Sequence, residues 1–124
     1  MAGTDVKFLE SFFDAWNRHD IDAIMGAMTP DCIYEASSGN ETFGTRYSGQ
    51  KDVRAAVLGL WERLPDARFS DCSYLVSGDR AVVEWTFSGT ARNGNRLVAN
   101  GCDLLTIKDD KVALKKSFRK FKPS

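Results

Sequence analysis

After Pro65 the spacing of apolar residues changes from helical to alternating, and this change restricts the fold more than any other feature of the chain. Four strand-like runs follow, 68–76, 80–90, 96–108 and 111–121, with apolar and polar residues alternating along much of their length. They are separated by Ser77-Gly78-Asp79, Arg92-Asn93-Gly94-Asn95 and Asp109-Asp110. Short connections of Gly, Asn and Asp adopt the backbone angles that tight hairpins require, so the runs predict an antiparallel meander. The runs exceed the roughly five or six residues usual for a strand. Strands that long must twist and bend.

Before Pro65 the period is helical. Leu9, Phe12, Phe13 and Trp16 place one apolar stripe on a helix over 5–18. Asp20 is positioned to cap a second helix over 21–28, with Ile21, Ile24, Met25 and Met28 in step. Pro30 closes it, and Cys32 to Ala36 reads as a short strand. The stretch 37–49, with Gly39, Asn40, Gly44 and Gly49, reads as a loop. A third helix over 51–64 carries Val53, Val57, Leu60, Trp61 and Leu64 on one face, and Pro65 ends it. Helices first and strands last indicate an α+β fold, here one domain over residues 1–124. Three amphipathic helices would cover one face of a curved antiparallel sheet. A helix layer cannot fill a strongly concave face, so the expected shape is a cone enclosing an apolar pocket.

Several function classes are disfavoured at once. Lys plus Arg equals Asp plus Glu at 17 each, so no net field favours nucleic acid or an anionic membrane. No apolar run is long enough for a membrane span, and the N-terminal residues lack the apolar core of a signal peptide. A cytoplasmic protein is expected. Cys32, Cys72 and Cys102 are far apart and odd in number, which reads as small apolar residues in a reducing compartment rather than a disulfide framework. With His19 the lone histidine, no metal site is expected, and no cofactor is implied.

The element order, together with local motifs, resembles the nuclear transport factor 2-like superfamily, and within it the SnoaL-like polyketide cyclase and ketosteroid isomerase branch. The motifs are Phe13-Asp14-Ala15-Trp16-Asn17-x-His19-Asp20 and Met28-Thr29-Pro30-Asp31-Cys32-Ile33-Tyr34-Glu35. They continue with Gly44-Thr45-Arg46-Tyr47-x-Gly49, Glu84-Trp85-Thr86-Phe87 and Cys102-Asp103-Leu104-Leu105-Thr106-Ile107. The resemblance spans nearly the whole chain. It implies a cone-shaped scaffold that hosts isomerases, cyclases, hydrolases and binding modules alike.

Ketosteroid isomerases use a carboxylate base with an oxyanion hole of tyrosine and protonated aspartic acid. By the resemblance, Asp103 falls at the oxyanion acid, Phe12 at the tyrosine and Ala36 at the base. Two of the three groups are absent, which disfavours steroid isomerase chemistry by that route. The superfamily register turns Gly101, Asp103, Leu105 and Ile107 inward, with Val83, Trp85 and Phe87 beside them. It also turns Lys115, Ser117 and Arg119 inward, and Cys32, Tyr34 and Ala36 on the first strand. The expected pocket is thus apolar, with Trp16 and Phe12 at its floor and Asp103, Lys115, Ser117, Arg119 and Tyr34 as its polar groups.

Asp103 has two readings. Burial would raise its pKa and suit it to acid, base or hydrogen-bond donor; an ion pair with Arg119 or Lys115 would lower it and make it structural. Alternation turns Glu35 away from the pocket, and Arg46 and Tyr47 either close over a ligand or anchor their turn. Two functions follow from these residues. One is a cofactor-independent isomerase or cyclase acting on a small apolar, oxygenated molecule by proton transfer, with Asp103 catalytic. The other is a non-catalytic ligand-binding or dimerisation module. The resemblance also implies a homodimer through the outer sheet face, where Leu104, Thr106 and Phe118 would lie.

Overall fold

A computed structural model describes residues 5–121. The elements run α1 (Val6–Asn17), α2 (Ile21–Gly26), β1 (Met28–Glu41), β2 (Gly44–Ser48), α3 (Gln50–Arg63), β3 (Arg68–Ser77), β4 (Arg80–Thr90), β5 (Arg96–Lys108) and β6 (Lys111–Arg119). The α+β order and the four long C-terminal strands follow the period change at Pro65.

The sheet itself differs from the expectation in two ways. It has six strands in the order β2-β1-β6-β5-β4-β3, and it is mixed: β1 runs parallel to β6 while every other pair is antiparallel. The meander returns β6 beside β1 in the same direction, a pairing that local turn chemistry cannot reveal. The stretch 37–49, expected as a loop, instead extends β1 and forms β2, leaving a turn at Thr42-Phe43. Its glycines shape a bulge rather than break the strand. Register shifts between Ala36 and Glu41, and Gly39 and Gly44 have positive φ of 147° and 80°. A Cβ on Gly39 would collide with the Gly44 carbonyl, so the two chains cross too closely for side chains there.

The helices lie over one face. Asp5 caps α1 by accepting from the Lys7 amide, and Asp20 caps α2 by accepting from the Ala23 amide. The α1 stripe is fully used: Leu9, Phe12, Phe13 and Trp16 are buried, with Phe13 and Trp16 edge-on to Phe69 of β3. Each such side chain contributes about 1.5–3 kcal/mol by leaving water. Asn17 fixes the alignment of α1 against β3, its amide donating to the Phe69 carbonyl and its oxygen accepting from the Phe69 amide. Gln50 does the same for α3, donating to the carbonyls of Met25, Met28 and Thr29. His19 bonds the Ala67 carbonyl through Nε2 and stacks on Trp61 at 4.4 Å. No described helix is long and apolar enough to cross a membrane.

The layer does not close over the whole sheet. α1 contacts β3, and α3 contacts β1 and β2, so a hollow is left between α3 and the strands.

Candidate functional site

The hollow has a volume of about 360 Å³. Tyr34 and Tyr47 stack with ring centroids 5.9 Å apart on its β1–β2 wall. Trp85 and Phe87 form the β4 wall, and Leu60 and Arg63 of α3 with Leu64 just beyond it line the side facing the sheet. From β6 come Lys115, Ser117 and Arg119. Alternation explains the placement, since residues two apart on a strand share a face.

The charged floor is tightly built. Ser117 Oγ donates to Asp103 Oδ1 at 2.6 Å, and Lys115 Nζ donates to Ser117 Oγ at 3.1 Å. Asp103 Oδ2 lies 3.1 Å from Lys115 Nζ as an ion pair without the alignment of a hydrogen bond. The side chains of Lys115 and Asp103 are 1% and 0% exposed. The ammonium also sits 4.4 Å from the Trp16 ring, 4.9 Å from Tyr34 and 5.6 Å from Phe69. Aromatic faces and a carboxylate together replace the water that a buried ammonium loses.

The residues singled out from the sequence divide by this geometry. Tyr34, Trp85, Phe87, Lys115, Ser117 and Arg119 line the hollow. Asp103 does not: it lies behind Ser117 and Lys115, fully buried. Its geometry follows the ion-pair reading, with Lys115 rather than Arg119 as partner. Phe12 and Leu105 are packed in the core at 2% and 0% exposure, and Trp16 lies beneath Lys115 without lining the space. Ala36, at the absent base, is on the wall. Glu35 is buried on the other side of β1, accepting from Arg46 Nε at 2.9 Å, so Arg46 anchors its turn. Tyr47, read as closing over a ligand or anchoring its turn, is on the wall, and Arg63 is a lining residue that sequence reasoning did not place there. Arg63 sits in the last turn of α3, where a cation reads as ordinary helix-end chemistry.

Burial raises the Tyr34 phenol well above its ordinary value; the Asp103 carboxylate raises it further, while Arg119 and Arg63 pull it back. Tyr34 is therefore a protonated donor at neutral pH. The Trp85 indole N–H, also buried, has no hydrogen-bond partner among the described residues. Among those residues no group of three His, Cys, Asp or Glu side chains gathers as a metal site would need. Chemically, the walls can hold a flat apolar body, and the polar groups facing it are hydrogen-bond donors and cations.

The sequence model of the SnoaL-like domain family matches residues 9–115. No curated protein matches the chain. Among solved structures, one is a protein of unknown function with a cystatin-like fold from Xanthomonas campestris. It is 27% identical at a TM-score of 0.83, with 95% of this chain and 92% of that one covered. A candidate polyketide cyclase from Xanthomonas campestris pv. campestris also has a TM-score of 0.83, at 16% identity with 93% and 89% covered. A hypothetical protein with a ketosteroid isomerase-like fold from Catenulispora acidiphila, in complex with trimethylamine, has a TM-score of 0.81. Its identity is 12%, with 93% and 86% covered.

Proposed function

The chain belongs to the SnoaL-like domain family, and from that premise we propose that it binds one small, largely apolar, oxygenated molecule in the hollow between α3 and the sheet. The observation that carries this reading is the hollow itself. About 360 Å³ lies within the roughly 300–1,000 Å³ typical of ligand sites, and apolar walls with a few convergent polar groups are their usual composition. Titration with 2-naphthol, followed by quenching of the tryptophan fluorescence, tests it. Saturable one-site binding is expected, and Ala56→Phe, which fills the space from α3, is expected to remove it. An affinity indifferent to that filling would contradict the reading.

A catalytic role is favoured by one specific feature, the Lys115–Ser117–Asp103 chain that ends at the wall. With a substrate carbonyl beside Lys115, the ammonium would stabilise an enolate oxygen as it develops, and Tyr34 would donate a second hydrogen bond. Cofactor-independent isomerisation or cyclisation by proton transfer would fit such a site. Such a proton transfer also requires a base, and among the described residues no carboxylate or histidine lines the space to supply one. The non-catalytic binding module is the second reading, favoured by that same missing base. A shift in the 2-naphthol complex to naphtholate absorbance would support the first, and its absence the second.

A second copy of the chain is the proposed partner. Phe118 and Val98 stand more than half exposed on the outer sheet face, which the half-buried Leu104 and Thr106 share farther along β5. Sedimentation should show a dimer that Phe118→Glu dissociates. The three free thiols suit the reducing cytoplasm.

A further inference from the structure

The charges around the hollow do not balance. Lys115 is answered by Asp103, yet Arg63 and Arg119 also line the space and none of the lining residues is a carboxylate. Neither arginine takes part in an ion pair or side-chain hydrogen bond among the described residues, whereas Arg18, Arg46, Arg54, Arg92 and Arg96 all do. Arg68 and Arg80 also lack partners, but they stand exposed at strand starts, where water serves them. Arg119 is different: it is half-buried with its guanidinium 5.9 Å from the Phe87 ring, at the edge of the aromatic wall. Arg63, exposed as Arg68 and Arg80 are, differs from them in lining the same space from the end of α3.

Both arginines line the hollow that Tyr34 also lines, and both work against the rise in the Tyr34 pKa that burial and the Asp103 carboxylate cause. A guanidinium is a planar fork of donors that matches a carboxylate with two parallel hydrogen bonds. Water serves the exposed Arg63, but Arg119, half-buried at the edge of the Phe87 ring, gives up hydration that an anion in the space would restore.

We propose that the ligand is an organic anion: a molecule of one or two aromatic or alicyclic rings bearing a carboxylate, the rings against Tyr34, Trp85 and Phe87 and the carboxylate between Arg63 and Arg119. This rests on the hollow being a ligand site. It adds the sign of the ligand's charge and the residues that meet that charge. Lys115, already neutralised, is not part of this anion site and faces the ring portion instead.

Calorimetric titration with 2-naphthoate and with its neutral counterpart 2-naphthamide tests the assignment. The two probes share rings and shape and differ in charge. The wild-type protein is expected to bind the acid about tenfold or more tightly than the amide, as charge-assisted hydrogen bonds imply. The double variant Arg63→Gln/Arg119→Gln is expected to bind the two alike, with the loss falling on the acid. Equal affinities in the wild-type protein, or a preference that survives in the double variant, would overturn the anion site while leaving the hollow a ligand site. Binding of neither probe would overturn both.

Discussion

Two positions on one face of β6, four residues apart, are treated in opposite ways. Lys115 is sealed from water and paired, whereas Arg119 is partly open and unpaired. The neighbouring strand makes the difference. β5 sets Asp103 opposite Ser117, within reach of the ammonium, but sets Gly101 opposite Arg119. Where the acid stands, the charge is satisfied and the region is closed. Where the glycine stands, no acid answers the guanidinium, and the Trp85 ring occupies the room a side chain would take. The lesson is that a buried charge is not by itself a site. The floor of this hollow is an ion pair, and the lining charges without a partner are Arg63 and Arg119.

The sharpest way to break this contrast is to remove one member of the floor. Asp103→Asn or Lys115→Met is expected to destabilise the protein by about 3–5 kcal/mol in urea unfolding, because the remaining charge is buried alone. Asp103→Leu combined with Lys115→Met should recover most of that loss. A single substitution costing less than about 1 kcal/mol would show that the floor is not the closed pair described. Next in size is Gly101→Ala. Its Cβ would meet Trp85 Cη2 at 2.6 Å and the Phe118 carbonyl oxygen, so a loss of about 1–3 kcal/mol with a shifted tryptophan emission is expected.

Alkaline titration probes the boundary between the two regions. The Tyr34 phenol is raised in the folded state, so its contribution is complete below the unfolded value of 10.0 and is lost as pH climbs above it. Tyr74 behaves likewise, pushed up to about 12 mainly by burial. Thermal midpoints should therefore fall above pH 10 in the wild-type protein and fall less steeply in Tyr34→Phe, with the Tyr74 share remaining. Parallel curves for the two proteins would remove Tyr34 from the interior. The smallest effect belongs to the two unpaired arginines. Arg63→Gln and Arg119→Gln should each change stability by no more than about 0.5 kcal/mol, since neither side chain holds another residue.

Much of this arrangement is written in alternation. Trp85 and Phe87 share a face by period two, as do Lys115, Ser117 and Arg119, and the run after Pro65 announces the strands that carry them. The fate of Asp103 is not local. It depends on the register that sets Asp103 against Ser117, and on a lysine reaching across two positions to close the pair. The β1–β2 hairpin was hidden because glycines that permit a close crossing look the same as glycines that end a strand. The parallel β1–β6 pairing arises between segments more than seventy residues apart, beyond any turn signal. Arg63 was illegible for a plainer reason: its role comes from where the end of α3 lies over the sheet, while in sequence it is one more basic residue in a last turn.

A crystal structure with 2-naphthoate bound would decide the central claim. The account predicts the ring system between Tyr34 and Phe87, with the carboxylate within hydrogen-bonding distance of Arg63 and Arg119 and the Lys115–Asp103 pair undisturbed. A naphthoate seated elsewhere, or a carboxylate that displaces Asp103 from Lys115, would contradict it.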